Sequence, residues 1–285
     1  MLNIPEKEEA PEPTRLALET VLYTAGASAV GMFVRWMQKM LAFDDNDLPN
    51  PGFWHYAYVA IIIIAAIVFI RRTDRLKNRR MFIPSKFGPA YRAEGKIYVI
   101  LELLSSLIII VGAALVLANC EAERNASLLR ITSILGIISA IILPLLMRTA
   151  VTGLLPARVR PLLSSIPILW VTVWLISTYV GNSINSVVLD YGLEIITVCV
   201  LMISFYRFAG AFFASFVPNR VLFFSMFSCF MCVMCLADDR LVGLQIMLFG
   251  IAVFFGTLTW ILVRNAVPAE DPDRIAIDTG FERLH

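Results

Sequence analysis

Eight stretches of this chain are apolar for long enough to cross a bilayer, and short polar segments divide them. A helix needs about 20 predominantly apolar residues to span the hydrocarbon core. The pattern predicts spans over about 15–41, 53–70, 97–118, 127–147, 162–180, 186–206, 221–236 and 241–263. The expected fold is therefore all-α: a polytopic transmembrane bundle of about eight helices. It would form one domain, 15–264, between a polar tail at 1–14 and another at 265–285. In the first span Ala25, Ala27, Ala29 and Gly31 offer small residues for close helix packing. The connection from Phe208 to Arg220 is unusually apolar for a loop, so it is expected at the membrane interface or as a helix extension.

The polar segments orient the bundle. Residues 71–96 hold nine Lys or Arg against only Asp74 and Glu94. Short Lys/Arg-rich loops stay on the cytoplasmic side during insertion. Counting outward from this loop, nineteen of the 24 Lys and Arg fall inside, three fall outside, and Arg35 and Lys39 lie within the first span. Both termini are then expected in the cytoplasm. The acidic, turn-forming segment from Phe43 to Gly52 lies outside, followed by Phe53, Trp54, Tyr56 and Tyr58 as an aromatic interfacial belt.

Composition agrees with this reading. Hydrophobic residues make up 59% and charged residues 16%, against about 25% charged in soluble domains; mean hydropathy is +0.77. Five cysteines, mostly in apolar runs, do not form a secreted disulfide framework. The acidic, Pro-rich start MLNIPEKEEAPEPTR does not read as a cleavable signal, so the first span is expected to direct insertion.

Several short motifs carry a resemblance. They are Arg35-Trp36-x-Gln38, Leu48-Pro49-x-Pro51-Gly52, Ile166-Pro167-x-Leu169-Trp170, Tyr191-x-x-Glu194-Ile195, Tyr206-x-Phe208-Ala209-Gly210 and Ala237-Asp238. Over roughly residues 30–265 the chain resembles an uncharacterised family of bacterial multi-span membrane proteins, from which Lys39 departs. The resemblance implies a bacterial plasma-membrane location and no particular chemistry.

Ionisable groups inside a membrane are expensive to bury unpaired. Glu194 lies about eight residues into the sixth span, roughly 12 Å deep at about 1.5 Å per residue. Asp190 and Tyr191 precede it on the same helical face, and Arg35 and Lys39 sit at a comparable depth. A cluster of Arg35, Lys39, Asp190 and Glu194 would neutralise its own charge. It reads either as an interhelical ion-pair lock or as a solute or proton site open to the outside. Glu102, nearer the inner interface, is expected to pair with a basic group such as Arg148.

Four further patterns have bland and sharp readings. Met226, Cys229, Cys232 and Cys235 at three-residue spacing are soft ligands that suit copper(I), yet Cys and Met also pack well among apolar helices. Asp44-Asp45-Asn46-Asp47 offers closely spaced carboxylates to a hard cation, but without the full calcium-loop pattern it reads as a solvated turn. The basic loop docks anionic lipid headgroups or a soluble partner, or serves orientation alone. Trp170 and Trp174 line a pocket or simply pack.

Absences exclude other classes. His55 and His285 are the only histidines, which argues against haem, zinc-protease and Ser-His-Asp chemistry. No GxxxxGK[ST] or GxGxxG occurs, so no nucleotide cofactor is expected. Topology explains the basic run without nucleic acid. Two functions remain: a small-solute or ion permease or binding protein, or a non-catalytic membrane subunit whose charges are structural.

Overall fold

The structure, a computed structural model, describes residues 13–41, 52–79, 81–93, 95–183, 187–213 and 215–268; the side chains of Lys77, Val188, Leu189 and Asp190 are outside the description. Its helices are α1 (Pro13–Leu41), α2 (Phe53–Asn78), α3 (Phe87–Ala90), α4 (Lys96–Asn119), α5 (Ala126–Thr152), α6 (Val159–Gly181), α7 (Val188–Ala209), α8 (Pro218–Cys235) and α9 (Val242–Arg264). All but the short α3 are long and apolar enough to cross a membrane, so the chain is a multi-pass membrane protein. The acidic segment 44–47 lies outside the described residues.

The spans begin and end close to where hydropathy places them, with one clear extension. α2 continues beyond Ile70 to Asn78, because Arg and Lys are good helix formers and their heads leave the apolar zone on long stems. Arg72, on this extension, lies 3.3 Å from Glu19 of α1 and stacks over the Tyr23 ring. The first third of the basic segment, to Asn78, is consequently part of α2, and the remainder forms the connection to α4.

That remainder folds back onto the bundle. β1 (Met81–Phe82) pairs antiparallel with β2 (Val267–Pro268). The Asn265 side chain donates to the carbonyls of Ala90 and Arg92, each at 2.9 Å. Met81, Ile83, Ala90 and Tyr91 are buried. The apolar connection after α7 explains why. Its 3-10 turn at Gly210–Phe212 places Phe212 against Phe87, while Phe208 and Phe216 close on Tyr91. The connection therefore roofs the basic end with aromatic packing.

α9 is the central helix. In its most apolar window 72% of residues are buried inside the protein, against 17% for α2, which leaves α2 at the periphery. α9 packs along α4, α8 and α1, and from α4 to α8 each helix packs on the next. α4 and α9 run antiparallel at backbone contact. A Cβ on Gly112 would sit 2.7 Å from the Gly243 carbonyl oxygen, and one on Gly243 would sit 2.6 Å from that of Gly112.

On α1 the buried stripe differs from the expected one. Ala25 and Ala29 are exposed. The residues facing the bundle are Thr20, Thr24, Ser28, Gly31, Arg35 and Gln38. Thr20, Thr24 and Ser28 each donate to the carbonyl four residues earlier, which satisfies their hydroxyls inside the helix. Gly31 is the close-packing position, since a Cβ there would meet the Phe230 ring at 2.6 Å.

Candidate functional site

Apart from Glu102, the buried charged residues among those described gather at the end opposite the basic loop, around the turn between α8 and α9. Two buried ion pairs form there. The first joins Arg35 of α1 to Asp238 of the turn, Nε to Oδ1 at 2.6 Å, with both side chains wholly buried. Arg35 also donates to Gln38 Oε1 at 2.7 Å and lies 5.4 Å from the centre of the Tyr58 ring of α2. The Cys235 thiol donates to Asp238 Oδ2, and Gln245 Nε2 donates to the Asp238 carbonyl at 2.7 Å. Burial pushes the Asp238 carboxyl up, and the adjoining Arg35 guanidinium pulls it back. This pair is dry and ties α1, α2 and the α8–α9 turn together.

The second pair joins Glu194 of α7 to Arg240, Oε2 to Nε at 3.1 Å. Glu194 Oε1 accepts from Thr178 Oγ1 at 2.9 Å and Trp174 Nε1 at 3.2 Å, both on α6. Glu194 is 3% exposed. It lines a cleft of about 690 Å³ that opens at this end of the molecule. The cleft walls come from the α4–α5 turn, the end of α6, α7, and the α8–α9 turn with the start of α9. Pockets that hold small molecules have about 300–1,000 Å³. The position of Glu194 follows from local sequence. Tyr191-Gly-Leu-Glu194 opens an apolar helix, and Leu193, Thr197, Val198 and Leu201 anchor the buried face to which Glu194 belongs.

The expected four-charge cluster is thus divided differently. Glu194 pairs with Arg240 and Arg35 pairs with Asp238, so both partners come from the turn between α8 and α9. Lys39 lies 3.5 Å from Asp239, whose side chain is 96% exposed, and so belongs to the rim. Tyr191 is half-buried and does not line the cleft. The Asp190 side chain is outside the description. A periodicity argument misses Asp238 and Arg240 because turn residues carry no helical phase. Charge balance was the available signal: a charge buried within a span, as Arg35 and Glu194 are, requires a partner at the same depth, and the Asp238-Asp239-Arg240 turn lies at that end.

The other candidates are placed as follows. Trp170 and Trp174 are wholly buried with ring centres 5.9 Å apart; Trp174 positions Glu194, while Trp170 packs against α5 at Gly136. Glu102 is buried, and the expected ion pair with Arg148 does not form among the described residues. Met226, Cys232 and Cys235 are buried and Cys229 is half-buried. Among the described residues no three His, Cys, Asp or Glu side chains gather as a metal-binding group, and Cys235 contacts Asp238. In comparisons with known protein families, curated proteins and solved structures, none matches the chain.

Proposed function

We propose that this protein binds a small solute at the cleft over Glu194 and acts as a permease or solute-binding protein of a bacterial plasma membrane, with its basic end in the cytoplasm. The single observation that carries the reading is a buried carboxylate lining an open cleft. A structural ion pair needs no opening, as Arg35 and Asp238 illustrate a few residues away. Glu194 instead meets the cleft while two hydrogen-bond donors and the charge of the Arg240 guanidinium hold it in one position. The bacterial location rests on the resemblance of motifs such as Tyr191-x-x-Glu194 and on the gathering of cations at one end.

Native mass spectrometry of the purified protein beside Glu194→Gln tests this. Gln keeps an oxygen for Trp174 and Thr178, so the variant is expected to fold. A small molecule that accompanies the wild type and is absent from the folded variant supports the reading. Equal, ligand-free masses, with no solute binding by either protein, would overturn it.

A second reading is favoured by the basic end. There the loop at 81–93 is held to the bundle by β2 and Asn265, which presents its cations on a fixed surface. Such a surface suits anionic lipid headgroups or a soluble partner, as in a membrane subunit without catalysis. A stoichiometric protein partner in the same spectra, with no small molecule, would favour this reading.

A further inference from the structure

The lining of the cleft is rich in acceptors. Its charged residues are Glu123, Glu194, Asp239 and Arg240, three carboxylates against one guanidinium. Lys39, beside Asp239 at the rim, leaves the balance negative. The lining amides add to this. Asn125 Nδ2 donates to the Ser177 carbonyl at 2.7 Å and to its hydroxyl at 2.9 Å. Asn182 Nδ2 donates to the Thr178 carbonyl at 2.8 Å, and Gln245 Nε2 to the Asp238 carbonyl at 2.7 Å. A carbonyl only accepts, so each contact fixes the amide orientation. Asn125 thus commits both amide hydrogens to the protein, Asn182 and Gln245 commit one each, and all three have side-chain carbonyl oxygens that can accept from a ligand. The hydroxyl of Thr178 and the indole of Trp174 are likewise committed to Glu194 Oε1.

Resting on the solute-binding reading above, we infer that the cleft takes a small organic cation, a primary ammonium or guanidinium, and that Arg240 is its internal stand-in. The two oxygens of Glu194 are held differently. Oε1 is fixed by two donors from the body of α6. Oε2 is held by a guanidinium from the α8–α9 turn, on a side chain 13% exposed. The turn itself is pinned beneath by Asp238, through Arg35 and Gln245, so Arg240 can swing on its own stem without unseating the backbone. An arriving cation takes the place of the Arg240 guanidinium on Oε2, and the displaced guanidinium turns toward the acidic rim at Glu123 and Asp239. An anion has no comparable place: among the described lining residues the one cation, Arg240, faces Glu194, and the carboxylates repel an anion.

The stand-in lowers apparent affinity in proportion to its occupancy. If Arg240 holds Glu194 about nine-tenths of the time, its removal raises apparent affinity roughly tenfold. The test is isothermal titration of the detergent-purified protein at constant ionic strength with methylammonium, putrescine and agmatine, beside acetate, succinate and glycerol. Wild type, Arg240→Gln and Glu194→Gln are compared, each checked for folding by its unfolding transition. The expected result is binding of at least one of the three cations, roughly tenfold tighter to Arg240→Gln and lost in folded Glu194→Gln. Binding of acetate, succinate or glycerol alone, lost in Glu194→Gln, would overturn the cation assignment while leaving the solute site intact. Cation binding that weakens in Arg240→Gln would remove the stand-in role. If no probe binds wild type or Arg240→Gln, the cation assignment falls. The solute-binding reading then stands or falls on the native mass spectra.

Discussion

At the scale of single residues, two ion pairs made by neighbouring residues of one turn have opposite characters. Arg35–Asp238 is enclosed on every side, and Glu194–Arg240 borders an open cleft. Removing one member of an enclosed pair strands the other charge, at a cost of roughly 3–5 kcal/mol, whereas replacing both with apolar groups of similar volume is often nearly neutral. Asp238→Asn is therefore expected to lower thermal stability in detergent by about that amount. The double change Arg35→Met with Asp238→Leu should recover most of the loss. A single variant as stable as wild type would show that the pair does not hold the turn. Lys39→Gln, at the exposed rim, is expected to cost under about 1 kcal/mol. Glu194→Gln should retain most stability, because two of the three contacts to the side chain survive.

At the scale of elements, close approach of α4 and α9 defines the centre of the bundle. Lipid chains are as apolar as Leu, so helices in a membrane associate through van der Waals packing rather than hydrophobic burial. Small residues permit backbones to meet, and Gly112 and Gly243 do so here. Gly243→Ala places a methyl 2.6 Å from a carbonyl that cannot move without its helix. The expected loss is roughly 1–3 kcal/mol, read as a lowered unfolding midpoint. Gly26→Ala, on the exposed face of α1 with nothing within 4 Å, is the control and should change stability by less than about 0.5 kcal/mol. Equal effects at the two positions would remove glycine contact as the reason for the α4–α9 approach. Gly153 has a different role. Its φ of 63° closes α5 in the left-handed region, and its N–H caps the Thr149 carbonyl.

At the scale of the whole molecule, the two ends differ in chemistry and in finish. One end carries the basic loop under an aromatic roof. The other holds the two ion pairs and the cleft. The proposed orientation puts the cleft outside. Single cysteines at Glu123→Cys and Arg158→Cys report it in intact cells treated with an impermeant maleimide. The first is expected to label and the second only after permeabilisation. The native thiols, each buried or half-buried, serve as the background. The reverse pattern would invert the topology and turn the cleft toward the cytoplasm.

Hydropathy by itself determined the all-α architecture and the eight spans, because every backbone polar group in hydrocarbon must be satisfied within its own helix. Span ends were legible where turn residues interrupt apolar runs. They were not legible at α2, where Arg71 to Asn78 are polar yet helical. Glu194 and Arg35 stood out in the sequence because a charge within an apolar run needs a partner. Which partner each takes was decided by the tertiary structure alone. α9 at the centre brings the α8–α9 turn over α1 and α7, so Asp238 and Arg240 reach charges about 200 and 50 residues away. The cleft has the same origin. Its walls come from four separate segments, and no periodicity along the chain records how their ends are spaced around Glu194.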